Sequence, residues 1–279
     1  MGRTKRHELP VTQRHPMILF DSHCHINDKS YAQDLPEVMT RANQAGVRAV
    51  MIAGVDRHTA RKAVEIAAVH PNVYTAVGIH PHDAIQCGSQ VIEELKSLAM
   101  ANDCVRAWGE TGLDFNRMFS PQADQEACFS AQMAAADELD LPLIFHERDS
   151  KGRFYEILKS DGPENRRGVV HCFSGSKEEM VKYLDLGYHI GITGILTIQQ
   201  RGEYLRSVAP LIPDDRLLIE TDAPYLTPKP QKNKFRRNEP AFVRSVLERL
   251  AELKNTDPDT LSEQIYKNTC ELYGVTPSP

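Results

Sequence analysis

Short apolar runs rich in β-branched residues alternate along this chain with longer segments whose apolar positions recur at helical spacing. The runs lie at 17–20, 48–55, 73–80, 105–110, 141–146, 168–173, 188–193 and 216–222. Runs that are apolar at nearly every position are typical of strands buried on both faces, as in a parallel sheet covered by helices. The pattern therefore predicts eight strands, each followed by a helix.

The segments between the runs carry local signals for where helices begin and end. Ser120 precedes a proline and Ser176 precedes acidic residues, which predicts helix starts at both places. Gly46 and Gly187 close their apolar-periodic segments, which predicts helix ends. The last helices, from about 239 to 272, are expected to close the barrel that these units would build.

The number of units and the length of the chain indicate the fold. Eight strand–helix units lie within 279 residues, and a (β/α)₈ TIM barrel is typically about 250 residues long. An open, doubly wound sheet is the alternative, but no G-x-G-x-x-G motif follows the first run, so a dinucleotide site has no support. We predict an α/β TIM barrel as a single domain over 17–275, preceded by a disordered tail over 1–16.

Composition and charge narrow the class of protein. The chain has 41% hydrophobic and 25% charged residues, as ordinary globular proteins do, and its net charge of −5 leaves only a local basic patch for nucleic acid. The six cysteines form no C-x-x-C pair, which favours reduced thiols in the cytoplasm. No apolar stretch approaches the roughly 20 residues of a membrane span. The first 16 residues lack the apolar core of a secretory signal.

Five of the eight predicted strands end in side chains that can bind a metal ion. These are Asp21, His23 and His25 after the first run, Glu110 at the fourth, His146 at the fifth, His171 at the sixth and Asp222 at the eighth. Taken singly, such residues are more often hydrogen-bonded structural histidines or helix-capping acids. Barrel enzymes, however, build their sites at the C-terminal ends of the strands, where all of these would converge. The coincidence predicts a metal site.

The number and type of these side chains indicate the chemistry. Four imidazoles and two carboxylates exceed the needs of one catalytic zinc, which takes about three protein ligands, but they suffice for two cations about 3.5–4 Å apart. A carboxylate has two oxygens, so Glu110 can bridge two ions. Asp222 can orient the attacking water and accept its proton, which gives both carboxylates a catalytic role. The prediction is metal-assisted hydrolysis.

Five longer motifs occur in order along the chain: FDSHCH at 20–25, GIHPH at 78–82, GETGLDF at 109–115, HCFSG at 171–175 and ETDAPYL at 220–226. In these stretches the chain resembles the TatD family of metal-dependent deoxyribonucleases. The resemblance implies a barrel of the metal-dependent hydrolase type, related to the amidohydrolases, and a 3′–5′ exonuclease acting on DNA, with single-stranded ends as the expected substrate. It also implies two divalent metal ions, with Mg or Mn expected in function and Zn, Ni or Co also able to occupy the site.

The resemblance also assigns residues. Matched motif by motif, one ion would be held by His23, His25, Glu110 and Asp222, and the other by Glu110, His146 and His171. His80 is expected to contact a substrate phosphate, unless Pro81 and His82 only shape a turn there. Glu220, which shares strand parity with Asp222, is expected to support the ligands from outside, as are Asp21 and Asp114.

The loop after the eighth strand carries basic residues around Phe235, namely Lys229, Lys232, Lys234, Arg236 and Arg237. A basic loop with an aromatic ring, so close to Asp222, is predicted to bind a phosphate backbone and stack a base. A solvated loop is the alternative. Residues after the fourth and fifth strands are expected to extend the positive rim, namely Arg117, Arg148 and Lys151. No membrane and no obligate protein partner is inferred.

Two other function classes remain open. An amidohydrolase-like enzyme could hydrolyse an ester or amide, including the ester of an aminoacyl-tRNA, with the same ligands. A barrel that only binds nucleic acid is the third class, but such a protein has no need of six converging metal ligands. Release of nucleotides from labelled DNA would distinguish a nuclease from both of these alternatives.

Overall fold

Eight parallel strands form one sheet whose spatial order is the order of the sequence. The strands are β1 Leu19–Cys24, β2 Val47–Ala53, β3 Val73–Val77, β4 Val105–Asp114, β5 Leu143–Arg148, β6 Gly168–Val170, β7 His189–Ile192 and β8 Leu217–Ile219. The computed structural model describes residues 17–163 and 165–278, so the disordered tail predicted for 1–16 lies outside the described residues.

Backbone hydrogen bonds join the two ends of the sheet. The amide of His25 donates to the carbonyl of Ala223 at 2.6 Å, and the amide of Asp222 donates to the carbonyl of His23 at 2.9 Å. These bonds link the segments that follow β1 and β8, so the sheet curls into a barrel. The predicted TIM barrel is confirmed.

The helices lie outside the strands. They are α1 Leu35–Gln44, α2 Arg57–Val69, α3 Ser89–Met100, α4 Gln122–Glu138, α5 Arg153–Ser160, α6 Lys177–Asp185, α7 Glu203–Val208, α8 Val243–Lys254 and α9 Pro258–Tyr273. Within the described ranges, no helix combines the length and the apolar composition that crossing a bilayer requires.

Most of the helix boundaries follow the local signals. The Ser176 side chain accepts a hydrogen bond from the backbone of Glu179, and the Glu179 side chain accepts one from the backbone of Ser176, a reciprocal cap at the start of α6. Gly46 and Gly187 have φ angles of +94° and +83° just beyond α1 and α6, a conformation that glycine adopts without strain. Ser120 differs, because its hydroxyl donates to the carbonyl of His82 instead of capping α4.

Alternate side chains of each strand enter two separate apolar layers. Inside the barrel, Phe20, Met51, Ile144 and Leu218 pack together, and the end of α9 covers this layer through residues that include Tyr273. The opposite strand faces pack against the helices in a second, larger layer. Both strand faces are therefore buried, which is why the strands read as nearly continuous apolar runs.

Two strands extend further than their apolar runs predicted. The runs at 17–20 and 105–110 end where polar residues begin, but β1 continues to Cys24 and β4 to Asp114. In β4 the extra residues stay paired with β5, so that Asp114 lies opposite Arg148. The polar ends of these strands are buried, because they line the closed mouth of the barrel.

Replacing Gly112 with alanine is expected to destabilise the barrel next to a predicted ligand. Gly112 has φ +145°, and a Cβ placed on it would overlap the carbonyl oxygen of His146. Strain and displaced backbone of this kind cost about 1–3 kcal/mol. The free energy of unfolding from urea titration measures the loss, with Gly88→Ala as control because a Cβ there meets no atom. Equal losses for the two variants would contradict the proposed overlap.

Candidate metal centre and its cavity

The carboxylate of Glu110, on β4, stands at the centre of the polar side chains that meet at the C-terminal ends of the strands. Its Oε2 atom lies 3.3 Å from Nε2 of His23 and 3.8 Å from Nε2 of His25. Its Oε1 atom lies 2.6 Å from Nδ1 of His146 and 3.1 Å from Nε2 of His171. The two oxygens of one carboxylate therefore face two different groups of imidazoles.

Asp222 belongs to the first of these groups. Its Oδ1 atom lies 3.2 Å from Nε2 of His25 and 3.8 Å from Nε2 of His23. The two Nε2 atoms are themselves 3.2 Å apart, because the period-two spacing on β1 aims both rings at the same point. The structure thus brings all six side chains that were predicted as metal ligands into one cluster.

His80 also lies within this cluster. It was predicted as a contact for a substrate phosphate and not as a neighbour of the metal ligands. Its Nε2 atom lies 3.2 Å from Nδ1 of His146 and 3.4 Å from Oε1 of Glu110. Its Nδ1 atom accepts a hydrogen bond from the backbone of His82 at 3.0 Å, at the start of the 3₁₀ turn Pro81–Gln86. Both ring nitrogens are engaged within the protein, so contact with a phosphate would replace one of these interactions.

Three overlapping sets of side chains place ligand atoms within 4.8 Å of one another: His23, Glu110 and His171; His23, His25 and Asp222; and His80, Glu110 and His146. The donor set tests whether a metal fits. The Nε2 atoms of His23 and His25 face each other, and a proton on only one of them leaves the other as a lone pair directed inward. Converging imidazole nitrogens and carboxylate oxygens are the donors that divalent cations such as Mn, Co, Ni and Zn accept. The residues fit.

The protonation of the cluster also suits a cation. Burial raises the pKa of Glu110, but the nearby His171 and His80 and hydrogen bonds from the imidazoles outweigh it and hold that pKa well below its usual range. Asp222 is similar, because the hydrogen bond from His25 and the nearby imidazoles overcome the effect of burial and lower its pKa. Burial lowers the pKa of His80 to about 4. At neutral pH both carboxylates are ionised and His80 is neutral.

Glu220 contacts the cluster from behind. Its Oε1 atom lies 3.1 Å from Nδ1 of His171 and accepts the backbone N–H of Cys172 at 2.5 Å, and the hydroxyl of Ser22 donates to its Oε2 atom at 3.4 Å. The carboxylate therefore fixes the orientation of the His171 ring. Glu220 was predicted to support the ligands from outside, and the ligand that it contacts is His171.

Asp21 and Asp114 hold backbone segments next to the cluster. Asp21 accepts hydrogen bonds from the backbone N–H and the hydroxyl of Thr221, at 2.8 and 2.6 Å, and so ties β1 to the segment that carries Asp222. Asp114 lies 2.8 Å from Nε2 of His82. Burial raises the pKa of Asp114, but hydrogen bonds from His146 and His82 outweigh it and hold that pKa well below its usual range.

Replacing Glu220 with glutamine is expected to weaken Mn²⁺ binding about 10–100-fold, the usual effect of removing an outer partner of a metal-binding imidazole. The amide keeps the size of the side chain but loses the charge opposite His171. Titration calorimetry with Mn²⁺ measures the affinity, and Glu263→Gln, at an exposed position of α9, is the control. Affinity equal to that of wild type would remove Glu220 from the support of the site.

The cluster opens into a cavity of about 480 Å³. Three arginines line its rim, Arg117 after β4, Arg148 at the end of β5 and Arg201 after β7, and Tyr225 lines it on the β8 side. The Tyr225 ring is half exposed and stands edge-on to His25, with the ring centroids 5.9 Å apart. Arg201 and Tyr225 escaped the sequence reasoning, because they lie in loops and end no strand.

The basic loop after β8 does not line this cavity. The lining excludes Lys232, Lys234, Arg236 and Arg237, which were predicted to bind a phosphate backbone, and also Lys151. The guanidinium of Arg237 donates two hydrogen bonds to the Asp34 carboxylate and lies 4.5 Å from the centre of the Tyr31 ring. Its charge is thus neutralised within the protein.

A family model and several relatives of known name point to the same family. A model of the family described as TatD related DNase matches residues 20–274. A protein of Rahnella sp. (strain Y9602) named 3′-5′ ssDNA/RNA exonuclease TatD is 40% identical over 261 residues, which cover 92% of this chain and 99% of that protein. The crystal structure of a TatD homolog from Escherichia coli K12 superposes with a TM-score of 0.85 at 28% identity and covers 94% of this chain and all of its own. A TatD family hydrolase from Entamoeba histolytica gives a TM-score of 0.84 at 28% identity, over 93% of this chain and 99% of its own.

Proposed function

The chain belongs to the TatD related DNase family, and we propose that it is a divalent-metal-dependent exonuclease that removes nucleotides from the 3′ end of single-stranded DNA. Membership makes it a hydrolase of phosphodiester bonds. One observation carries the finer proposal: the two carboxylate oxygens of Glu110 face separate groups of imidazoles at the mouth of the barrel.

We propose that the centre holds two divalent ions. Asp222, His23 and His25 would hold the first with one oxygen of Glu110, and His146 and His171 would hold the second with the other oxygen. When bound, such ions polarise a phosphoryl oxygen and lower the pKa of a water towards neutrality. We expect Mg or Mn to serve in function, because phosphodiester chemistry commonly uses them, and Zn, Ni or Co to bind as well, because imidazoles suit these metals.

The protein's own groups supply the rest of the chemistry. Asp222 is ionised at neutral pH, and its partly exposed carboxylate faces the cavity, so it can orient a water and accept its proton. Glu110 carries negative charge to the middle of the cluster and keeps the imidazoles in place. Glu220 and Asp114 hold His171 and His146 from outside, so these rings are already oriented before a substrate arrives.

The size of the cavity supports action on a strand end. A volume of about 480 Å³ is that of a small-molecule site. It is large enough for one terminal nucleotide. We further propose that the enzyme works in the cytoplasm, since its six cysteines are free thiols, and that it needs no second protein.

The test is a nuclease assay with single-stranded DNA carrying a label at the 5′ end, in Mn²⁺ or Mg²⁺. A ladder of products that shorten one nucleotide at a time is expected, with slower attack on the same strand in a blunt duplex. RNA of the same sequence shows whether the sugar matters. An enzyme that leaves all nucleic acids intact but hydrolyses carboxylic esters or aminoacyl-tRNA would instead be the amidohydrolase-like alternative.

A further inference from the structure

Three arginines line the rim of the cavity. Arg117 lies in the loop after β4, Arg148 is the last residue of β5 and Arg201 lies in the loop after β7, and each is exposed. Within the described part of the chain, none of the three guanidiniums has an ion pair or a hydrogen bond. Most other arginines of the described chain do have such partners, as Arg41 has Glu239 and Arg166 has Asp137.

We propose that Arg117, Arg148 and Arg201 form the phosphate track of this enzyme, so that the polynucleotide leaves the metal centre across the β4–β7 side of the barrel. This inference rests on the proposed function and adds to it the path of the substrate. The loop after β8 contains more basic residues than the segments that carry these arginines, but it takes no part in the track.

The chemistry of the guanidinium group supports this assignment. The three positive groups attract an anion that enters the cavity, and within the described residues none of them is already neutralised by an ion pair. A guanidinium presents a planar fork of N–H donors that matches two phosphate oxygens at once. Because the three groups come from three different segments of the chain, they can contact successive phosphates of one polynucleotide.

The position of the arginines sets the path that the polynucleotide takes away from the metal centre. Arg148 ends β5, two residues beyond His146, and so lies beside the imidazoles that face Oε1 of Glu110. Tyr225 and Asp222 line the cavity after β8, the strand next to β7. The three arginines follow or end β4, β5 and β7, so in the proposed track the remaining phosphates of the chain cross this part of the rim.

The loop after β8 lacks the features of a track. Arg237 is held by Asp34, and the other four basic side chains of the loop stand outside the lining of the cavity. The loop is rich in positive charge, but its side chains do not line the cavity. We give more weight to their position, because attraction between exposed charges is largely screened beyond about 8–10 Å at ordinary ionic strength.

The experiment compares three variants that each lose three positive charges. The first replaces Arg117, Arg148 and Arg201 with glutamine, and the second makes Lys232→Gln, Lys234→Gln and Arg236→Gln. A matched control carries the same change at exposed positions of α5, α6 and α9: Lys159, Lys182 and Lys267. The probe is a fluorescein-labelled oligothymidylate with phosphorothioate linkages, which keep the charge and resist cleavage, and binding to the Mn²⁺-loaded protein is followed by anisotropy over a salt series.

The slope of log Kd against log salt concentration is the readout. Each phosphate contact to a single strand contributes about 0.7 to this slope, so the first variant is expected to lose about 2 from it, while the loop variant and the control keep the slope of wild type. An unchanged slope in the first variant, or a loss of about 2 in the loop variant, overturns the proposal. Failure of the proposed function is separate, because it appears as absence of cleavage of ordinary DNA by the wild-type enzyme.

Discussion

Replacing Glu110 with glutamine is expected to lower kcat for release of nucleotides from single-stranded DNA by at least about 10³-fold. Metal-assisted stabilisation of a phosphoryl transition state is worth several kcal/mol, and about 4 kcal/mol corresponds to a factor of 10³ in rate. Among the described residues, Glu110 is the one carboxylate whose oxygens reach both groups of imidazoles, at 2.6 to 3.8 Å. The neutral amide keeps the shape and removes the charge that both groups share.

The measurement pairs single-turnover kinetics with metal analysis. The Glu110 variant is expected to bind fewer Mn²⁺ ions per chain than wild type, which we expect to bind two. Glu147→Gln is the matched control, because Glu147 lines the same cavity but hydrogen-bonds to Ser150. A Glu110 variant that holds two ions and cleaves DNA at the wild-type rate would refute the bridging role.

Replacing Asp222 with asparagine is expected to lower kcat about 10²–10⁴-fold, the range that a positioned general base contributes. Hydrogen bonding to His25 and the nearby imidazoles keep the pKa of Asp222 low against the effect of burial, so the carboxylate is ionised at working pH. Asparagine can still coordinate through its amide oxygen but cannot accept the proton of a water. The loss is therefore expected in kcat more than in KM.

Two measurements separate this role from that of a simple ligand. Asp83→Asn is the control, since Asp83 lines the cavity outside the imidazole cluster. The Asp222 variant should also lose part of the acid limb of the pH–rate profile, because that limb reports the essential base. A variant whose DNA cleavage drops no further than that of the control would assign the proton transfer to another group.

The local sequence pattern was sufficient to predict the architecture of the barrel. Each of the eight apolar runs contains or overlaps a strand, and the reciprocal cap at Ser176 and the glycines after α1 and α6 lie where local signals predicted them. Such features depend on neighbours within a few residues, which is why one sequence without relatives reveals them. The polar ends of β1 and β4 were harder to predict, because a strand end made of buried polar residues looks like a loop in the sequence.

The candidate ligands were also within reach of the sequence, because a barrel brings every strand end to the same face. Period-two spacing predicted that His23 and His25 share one direction, and their Nε2 atoms are 3.2 Å apart. Strand parity predicted that Glu220 points the same way as Asp222 and supports the ligands, and its carboxylate lies beside His171. Each of these predictions combined the alternation of side chains along a strand with the assumption that the strands form a barrel. The same reasoning gave no way to distinguish a ligand from a phosphate contact at His80.

Only the tertiary structure decided which charges are available to a substrate. The sequence by itself determined the barrel, the strand order and the candidate metal ligands at its mouth, since these follow from periodicity and from the geometry of parallel strands. It gave more weight to the basic loop after β8 than to Arg201, but Arg237 meets Asp34, 203 positions away in the chain, and Arg201 points at the cavity without a partner among the described residues. Whether a charge is neutralised depends on which distant side chain lies within about 4 Å, and that distance exists only once the barrel has closed.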